Sequence, residues 1–293
     1  MKQSKKTAFL LLIPATIIMV FTVFLPIITT FGYSLRNLNL TEPYNQKFVG
    51  LKNYETVLKS KDFHSALFNS VAVLVMVLII GLIISVLIAF ALNKKTKITP
   101  LLTAIVIVPW ALPPIVNGIM WKFIFFPGHG LMNKLLMNMG LIQAPISWIN
   151  NRGLFLFVVS LVIAWRIIPF SSIVILSNLQ SIPESYYEAF KMEGSTRLQA
   201  FRYITLPLIV PSLGVVLINL TTTAINVFDE VIALSGYQFA NQTLLVYNYS
   251  NTFSFLDFGL GSSISYIIMA ITGIFGYFYI RNMTVDKVYD YEK

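Results

Sequence analysis

Six apolar runs, each long enough to cross a hydrocarbon core that takes about 20 residues of α-helix, leave this chain few folds to adopt. They lie at 9–33, 67–92, 98–123, 154–178, 206–234 and 260–280 of the 293 residues. In lipid every backbone N–H and C=O must be satisfied within the protein, and an α-helix does this segment by segment. Composition agrees: 56% of residues are hydrophobic, 11% are charged, and mean hydropathy is +0.75, more apolar than a soluble domain of this length. The sequence predicts an all-α polytopic membrane protein, a single transmembrane domain over 1–293 with six transmembrane helices. An even number of crossings puts both termini on one side.

Short basic connections fix which side. Lys2, Lys5 and Lys6 precede the first run, Lys94, Lys95 and Lys97 follow the second, Lys191, Arg197 and Arg202 separate the fourth and fifth, and Arg281 and Lys287 follow the sixth. By the positive-inside rule these segments, and both termini, are expected to be cytoplasmic. The opposite connection holds Arg36, Lys47, Lys52, Lys59 and Lys61, but it is longer and carries Glu42, Glu55 and Asp62 as well. Basic flanks account for the net charge of +9, so no nucleic-acid partner is expected. The first run is too long for a signal peptide and lacks a small-x-small cleavage pattern, so it is expected to remain as a span. Cysteine is absent and histidine is limited to His64 and His129. No phosphate loop or H-E-x-x-H pattern accompanies them, so the sequence offers no catalytic residue, no metal site and no nucleotide site of its own.

Between the fourth and fifth runs lies a polar loop, about 179–205. Pro183 suits the first turn of a helix, Glu184 and Glu188 load its positive end, and Gly194 can stop it. Ile182, Tyr186, Ala189 and Phe190 then share one face. A helix this short is marginal alone in water, so that face is expected to dock on its own membrane domain or on another protein.

The order Glu188-Ala189-Phe190, Glu193-Gly194, Ile204-Thr205-Leu206-Pro207 resembles the EAA loop of permeases of binding-protein-dependent ABC importers. Phe190 replaces the usual second alanine, Glu193 an aspartate and Ser195 an alanine. The likeness continues through Pro109-Trp110-Ala111-Leu112-Pro113, Trp121-Lys122-Phe123-Ile124-Phe125, Gly130-Leu131-Met132-Asn133, Trp165-Arg166, Pro169-Phe170, Leu179-Gln180-Ser181-Ile182-Pro183-Glu184, Thr243-Leu244-Leu245-Val246-Tyr247 and Asp257-Phe258-Gly259, covering about 7–281. It is greatest for the carbohydrate branch, in particular the first permease of maltose-, lactose- and glycerol-phosphate-type systems. Tyr237-Gln238-Phe239 stand where that branch has a Gly-Gly-Pro turn. The resemblance implies a type I ABC importer permease in a bacterial cytoplasmic (inner) membrane, carrying a sugar. It also implies a second permease subunit, two ATPase subunits that bind ATP and Mg, and an extracytoplasmic solute-binding protein. No cofactor would belong to this chain, and Tyr187, Glu188, Ala189, Phe190, Glu193 and Gly194 would couple it to the ATPase. The alternative is a stand-alone ion-coupled carrier, which would want acidic residues inside its spans and matched broken helices in two halves.

A sugar pathway needs aromatic faces and hydrogen-bonding groups near the midplane. Four residues are candidates: Trp110, Asn117, Arg166 and Asn226. Trp110 and Asn117 are seven positions apart on a run interrupted by Pro109, Pro113 and Pro114, a spacing that lets them share a face. Broken backbone is tolerated at membrane depth where protein covers it or it lines a cavity. Trp110 is read either as a stacking platform or as packing. Arg166, near the middle of the fourth run, costs about 3 kcal/mol unless it faces a cavity or a partner. It either lines the pathway or pairs structurally with a carbonyl or with a carboxylate of the second permease. Asn219, Thr222, Thr223 and Asn226 form a polar stripe, for substrate or for helix association. Asp229 and Glu230 fall at the outer end of the fifth run, where they are expected to face headgroups, water or the binding protein.

Overall fold

A computed structural model describes residues 2–94 and 96–283; Lys95 and Lys287, counted above among the basic flanks, lie outside them. The described residues are helical, with two isolated bridges, Arg36 to Phe48 and Asn39 to Asp257, and no strand. Five helices are long and apolar enough to cross a membrane: Leu10–Ser34, Lys61–Leu92, Arg152–Ser181, Arg197–Ile225 and Phe258–Arg281. The pair Thr99–Ala111 and Pro114–Ile124, bent by 98°, makes a sixth if it is one span. The described residues group into two compact units.

The smaller unit holds the chain through Phe63 together with Tyr247–Met269. Its first span leaves its whole apolar window unburied and is tied to the unit by Tyr266, whose hydroxyl donates to Ile27 O at 2.6 Å while its ring meets Phe31 edge-on. The polar connection after this span is pinned from inside: Asn53 Nδ2 donates to both Ser34 O and Arg36 O at 2.8 Å. Ser34 and Tyr54 share a hydrogen bond of 2.7 Å. Leu40 N and Phe258 N donate to Leu256 O and Leu38 O, which stitches this connection to the start of the last span.

The larger unit, His64–Val246 with the described residues from Ala270 onward, is organised around the fourth span, Arg152–Ser181. Some 61% of its apolar window is buried. Asn151 caps it by accepting from Leu154 N at 3.1 Å. The third span breaks between its limbs because Pro113 and Pro114 bring no N–H to the ladder and Pro113 is extended (φ −57°, ψ 139°). The loop that departs from the sugar-branch pattern is held by Asn69, which donates to Ala240 O and Gln242 O and accepts from Arg152 Nε.

Two boundaries need correction. The fifth run, expected over 206–234, begins at Arg197 and ends at Ile225. A separate helix, Asp229–Ser235, follows. The chain leaves the helical path at Phe228 (φ −135°, ψ −62°), and Val227 O, freed there, accepts from Thr243 Oγ1 at 3.1 Å. The polar loop expected at about 179–205 is shorter, because the fourth span persists to Ser181 and a capping box formed by Thr196 and Gln199 starts the fifth at Arg197.

Candidate functional site

The loop helix is Glu184–Met192, with extended Pro183 as its N-cap residue. Gly194 follows its end at φ +80° and donates to Lys191 O at 3.0 Å, the left-handed stop that glycine adopts without a Cβ penalty. Glu188, Ala189, Glu193 and Gly194 are exposed, and Tyr186 is 53% exposed. Tyr187 and Phe190 turn the other way. The Tyr187 hydroxyl shares a 2.9 Å hydrogen bond with Thr205, and the Phe190 ring lies 6.4 Å from that of Tyr203. Phe190 is therefore not on the free face with Tyr186 and Ala189, as the periodicity suggests; with Tyr187 it fastens the helix to the base of the fifth span. The Ser195 hydroxyl, donating to Phe190 O, closes the turn.

Three of the four pathway candidates meet on one stripe of the fourth span, because Val162, Arg166 and Phe170 are spaced four apart and so line one face. Asn117 donates from Nδ2 to Val162 O at 3.1 Å. Trp110 stacks on Phe170 with ring centres 5.8 Å apart and planes 20° apart, while half of its surface stays exposed. The two do not share a helix face, since the 98° bend separates their limbs. Each reaches the stripe from its own limb. Asn226 stands apart: exposed at the end of the fifth span, it donates to Thr222 O of its own helix.

Arg166 occupies the centre of this stripe, and its Nε donates to Glu230 Oε1 at 3.0 Å. Glu230 is 3% exposed, so it faces neither headgroups nor water. The expected carboxylate partner lies in the same chain rather than in another subunit. Backbone proximity holds the pair in place: a Cβ on Gly118 would stand 2.6 Å from Ala233 Cβ and 3.1 Å from Glu230 Cα, so only glycine lets the Pro114–Ile124 limb lie this close to the Asp229–Ser235 helix. Asn117 Oδ1, fully buried next to it, has no hydrogen-bond partner among the described residues. The larger unit also has a cavity of about 550 Å³ walled by Ile84, Ile105, Pro109, Trp165 and Pro169 among other apolar residues. Its wall is almost wholly apolar, with the Trp165 indole as its one side chain able to hydrogen-bond. Among the described residues no group of three or more His, Cys, Asp or Glu is placed to hold a metal.

Five or six helices long and apolar enough to cross a membrane, with buried polar side chains among them, define an integral membrane protein. The chain belongs to the family described as binding-protein-dependent transport system inner membrane component, which matches residues 81–288. The trehalose/maltose transport system permease protein MalF of Thermococcus litoralis is 31% identical over 95% of this chain and 94% of its own. The sulfoquinovosyl glycerol transport system permease protein SmoG of Agrobacterium fabrum is 30% identical over 94% and 89%. A chain of a bacterial alginate ABC transporter, solved with an alginate pentasaccharide-bound periplasmic protein, superposes with a TM-score of 0.81 at 20% identity, covering 98% of this chain and 96% of that one. The chain is thus a multi-pass inner-membrane permease with the type I ABC importer fold.

Proposed function

We propose that this chain forms half of the translocation pathway of an ATP-driven sugar importer and takes its energy from a separate ATPase through the Glu184–Met192 helix. The observation that carries the coupling role is the division of that helix into an inner side, Tyr187 and Phe190 bound to Thr205 and Tyr203, and an outer side presenting Glu188, Ala189 and Glu193. A load on the outer side is passed to the base of the fifth span without deforming any span. Sugars as cargo are supported by the trehalose/maltose and alginate systems in which similar permeases work and by the aromatic and hydrogen-bonding groups along the Val162–Arg166–Phe170 stripe. Trp110 would stack on a sugar face, and Asn117 and Arg166 would bond its hydroxyls. Asn226 would join them from the end of the fifth span.

In this reading a second permease completes the cavity, two ATPase subunits hold ATP and Mg, and an extracytoplasmic binding protein delivers the sugar. The 182–196 loop and both termini would face the cytoplasm, by the placement of Lys94, Lys97, Lys191, Arg197, Arg202 and Arg281. Closure of the ATPase pair would move the loop helix and open the cavity outward. An ion-coupled carrier gains one buried acid, Glu230, but that carboxylate is already engaged by Arg166, which favours the importer. The test is Glu188→Lys in cells carrying the whole importer. The variant is expected to insert normally, lose copurification with the ATPase and lose uptake; normal uptake would refute the coupling role.

A further inference from the structure

The Arg166–Glu230 pair bears on which sugars can pass. Arg166 lies fourteen residues from one end of the Arg152–Ser181 helix and fifteen from the other, at a depth where a lone charge is strongly disfavoured. Glu230 cancels that charge through Nε alone. The two terminal nitrogens of Arg166 have no partner among the described residues, and its side chain keeps 16% of its surface exposed. The buried Asn117 Oδ1, one turn along at Val162, is an acceptor with no donor among the described residues. The result is a set of donors and one acceptor with no net positive charge. A hydroxyl can use both kinds of group. An acidic sugar could accept from the same terminal nitrogens, but its anion would meet a cation whose charge Glu230 already offsets, with Asp229 next in the chain, and the site would be left with an excess negative charge in a medium that penalises this.

Resting on the sugar-permease reading, we propose that the Arg166–Glu230 pair makes this permease selective for uncharged over acidic sugars, with Glu230 the positioning residue that sets the preference by holding and neutralising Arg166. Relatives alone leave cargo charge open, since they include a trehalose/maltose permease and an importer of the acidic polysaccharide alginate.

The experiment measures uptake of labelled trehalose, maltose and alginate oligosaccharide by cells carrying the complete importer. The wild type is expected to take up an uncharged sugar and to ignore the acidic one. Glu230→Gln exposes the guanidinium charge; uncharged uptake should fall at least tenfold, and the acidic oligosaccharide should now compete. Glu230→Asp should restore the original preference. The double variant Arg166→Gln/Glu230→Gln, which buries no lone charge, should stay selective for the uncharged sugar at a lower rate. Should Glu230→Gln be lost from the membrane, the wild type and the double variant decide, and acidic uptake by either overturns the proposal. Glu230→Gln with unchanged preference overturns it too. A wild type that carries only acidic sugar refutes this inference while leaving the sugar reading intact. A wild type that takes up none of these, nor any of a wider set of neutral and acidic sugars offered with them, refutes the sugar reading itself.

Discussion

Gly118→Ala tests the close approach on which the polar stripe depends. The new methyl group would stand 2.6 Å from Ala233 Cβ and 3.1 Å from Glu230 Cα, against an optimal carbon separation of about 3.5–4.0 Å, so the limb and the helix must part by about 1 Å. The Ala233 methyl cannot rotate away, and the second contact is backbone, so the strain has no cheap outlet. Overpacking of this kind costs about 1–3 kcal/mol, and at roughly 2–4 °C per kcal/mol the melting point should fall by about 2–12 °C. Tryptophan emission of the detergent-solubilised protein reads this directly, because Trp121 on the moving limb meets Trp165 edge-on at 5.6 Å. Ala233→Gly removes the closest atom, at a helix-propensity cost of about 1 kcal/mol. The double variant should be more stable than the two losses summed, by about 1 kcal/mol or more. It should not recover fully, since the Glu230 contact remains. A Gly118→Ala protein that melts like the wild type, or a strictly additive double variant, would refute the packing argument.

Two other tests address the loop and its side of the membrane. Cysteines placed one at a time at Thr96 and Thr196 should react with an impermeant thiol reagent only after cells are opened, while one at Asn45 should react in intact cells; the native chain has no cysteine to interfere, and labelling of position 196 from outside would invert the topology. Gly194→Ala meets no atom within 4 Å, so it should cost only the backbone penalty of about 1–2 kcal/mol and retain most uptake. Gly194→Pro cannot adopt φ +80° and loses the bond to Lys191 O, so uptake should collapse; equal loss in the two variants would show that something else packs on the glycine.

What could be read from sequence was local. Pro183, Glu184 and Gly194 delimit the loop helix by rules that act within a turn or two, and it forms where they place it. Pro109, Pro113 and Pro114 likewise announce the break in the third span, because a missing N–H cannot be replaced from elsewhere. The end of the fifth span gives no such sign. Residues 224–234 are mostly apolar and contain neither glycine nor proline. The break is instead supported from a distance, by Thr243 on Val227 O. Glu230 was misplaced for the same reason: its partner is 64 residues away. The one clue in the sequence is Arg166 itself, since an arginine at mid-span needs a cavity or a partner, and an acid is one of the partners that would serve. Nor could periodicity tell which side of the loop helix faces inward, because aromatic residues occupy both sides.

The spacing of Val162, Arg166 and Phe170 also sets how their contacts respond to a turn of the fourth span. Side chains about 5–6 Å from a helix axis travel about 3 Å when the helix turns by 30°. That is the full length of the Arg166–Glu230 hydrogen bond. Because Glu230 and Trp110 each grip a side chain of the same stripe, Arg166 and Phe170, a small roll of the fourth span would disengage both in one movement, while the Asn117 bond to Val162 O, close to the axis, would shift by only about 1 Å. These two contacts are therefore mechanically in parallel: any turn of this helix large enough to break one would break the other, and would part Arg166 from Glu230 and Trp110 from Phe170 together.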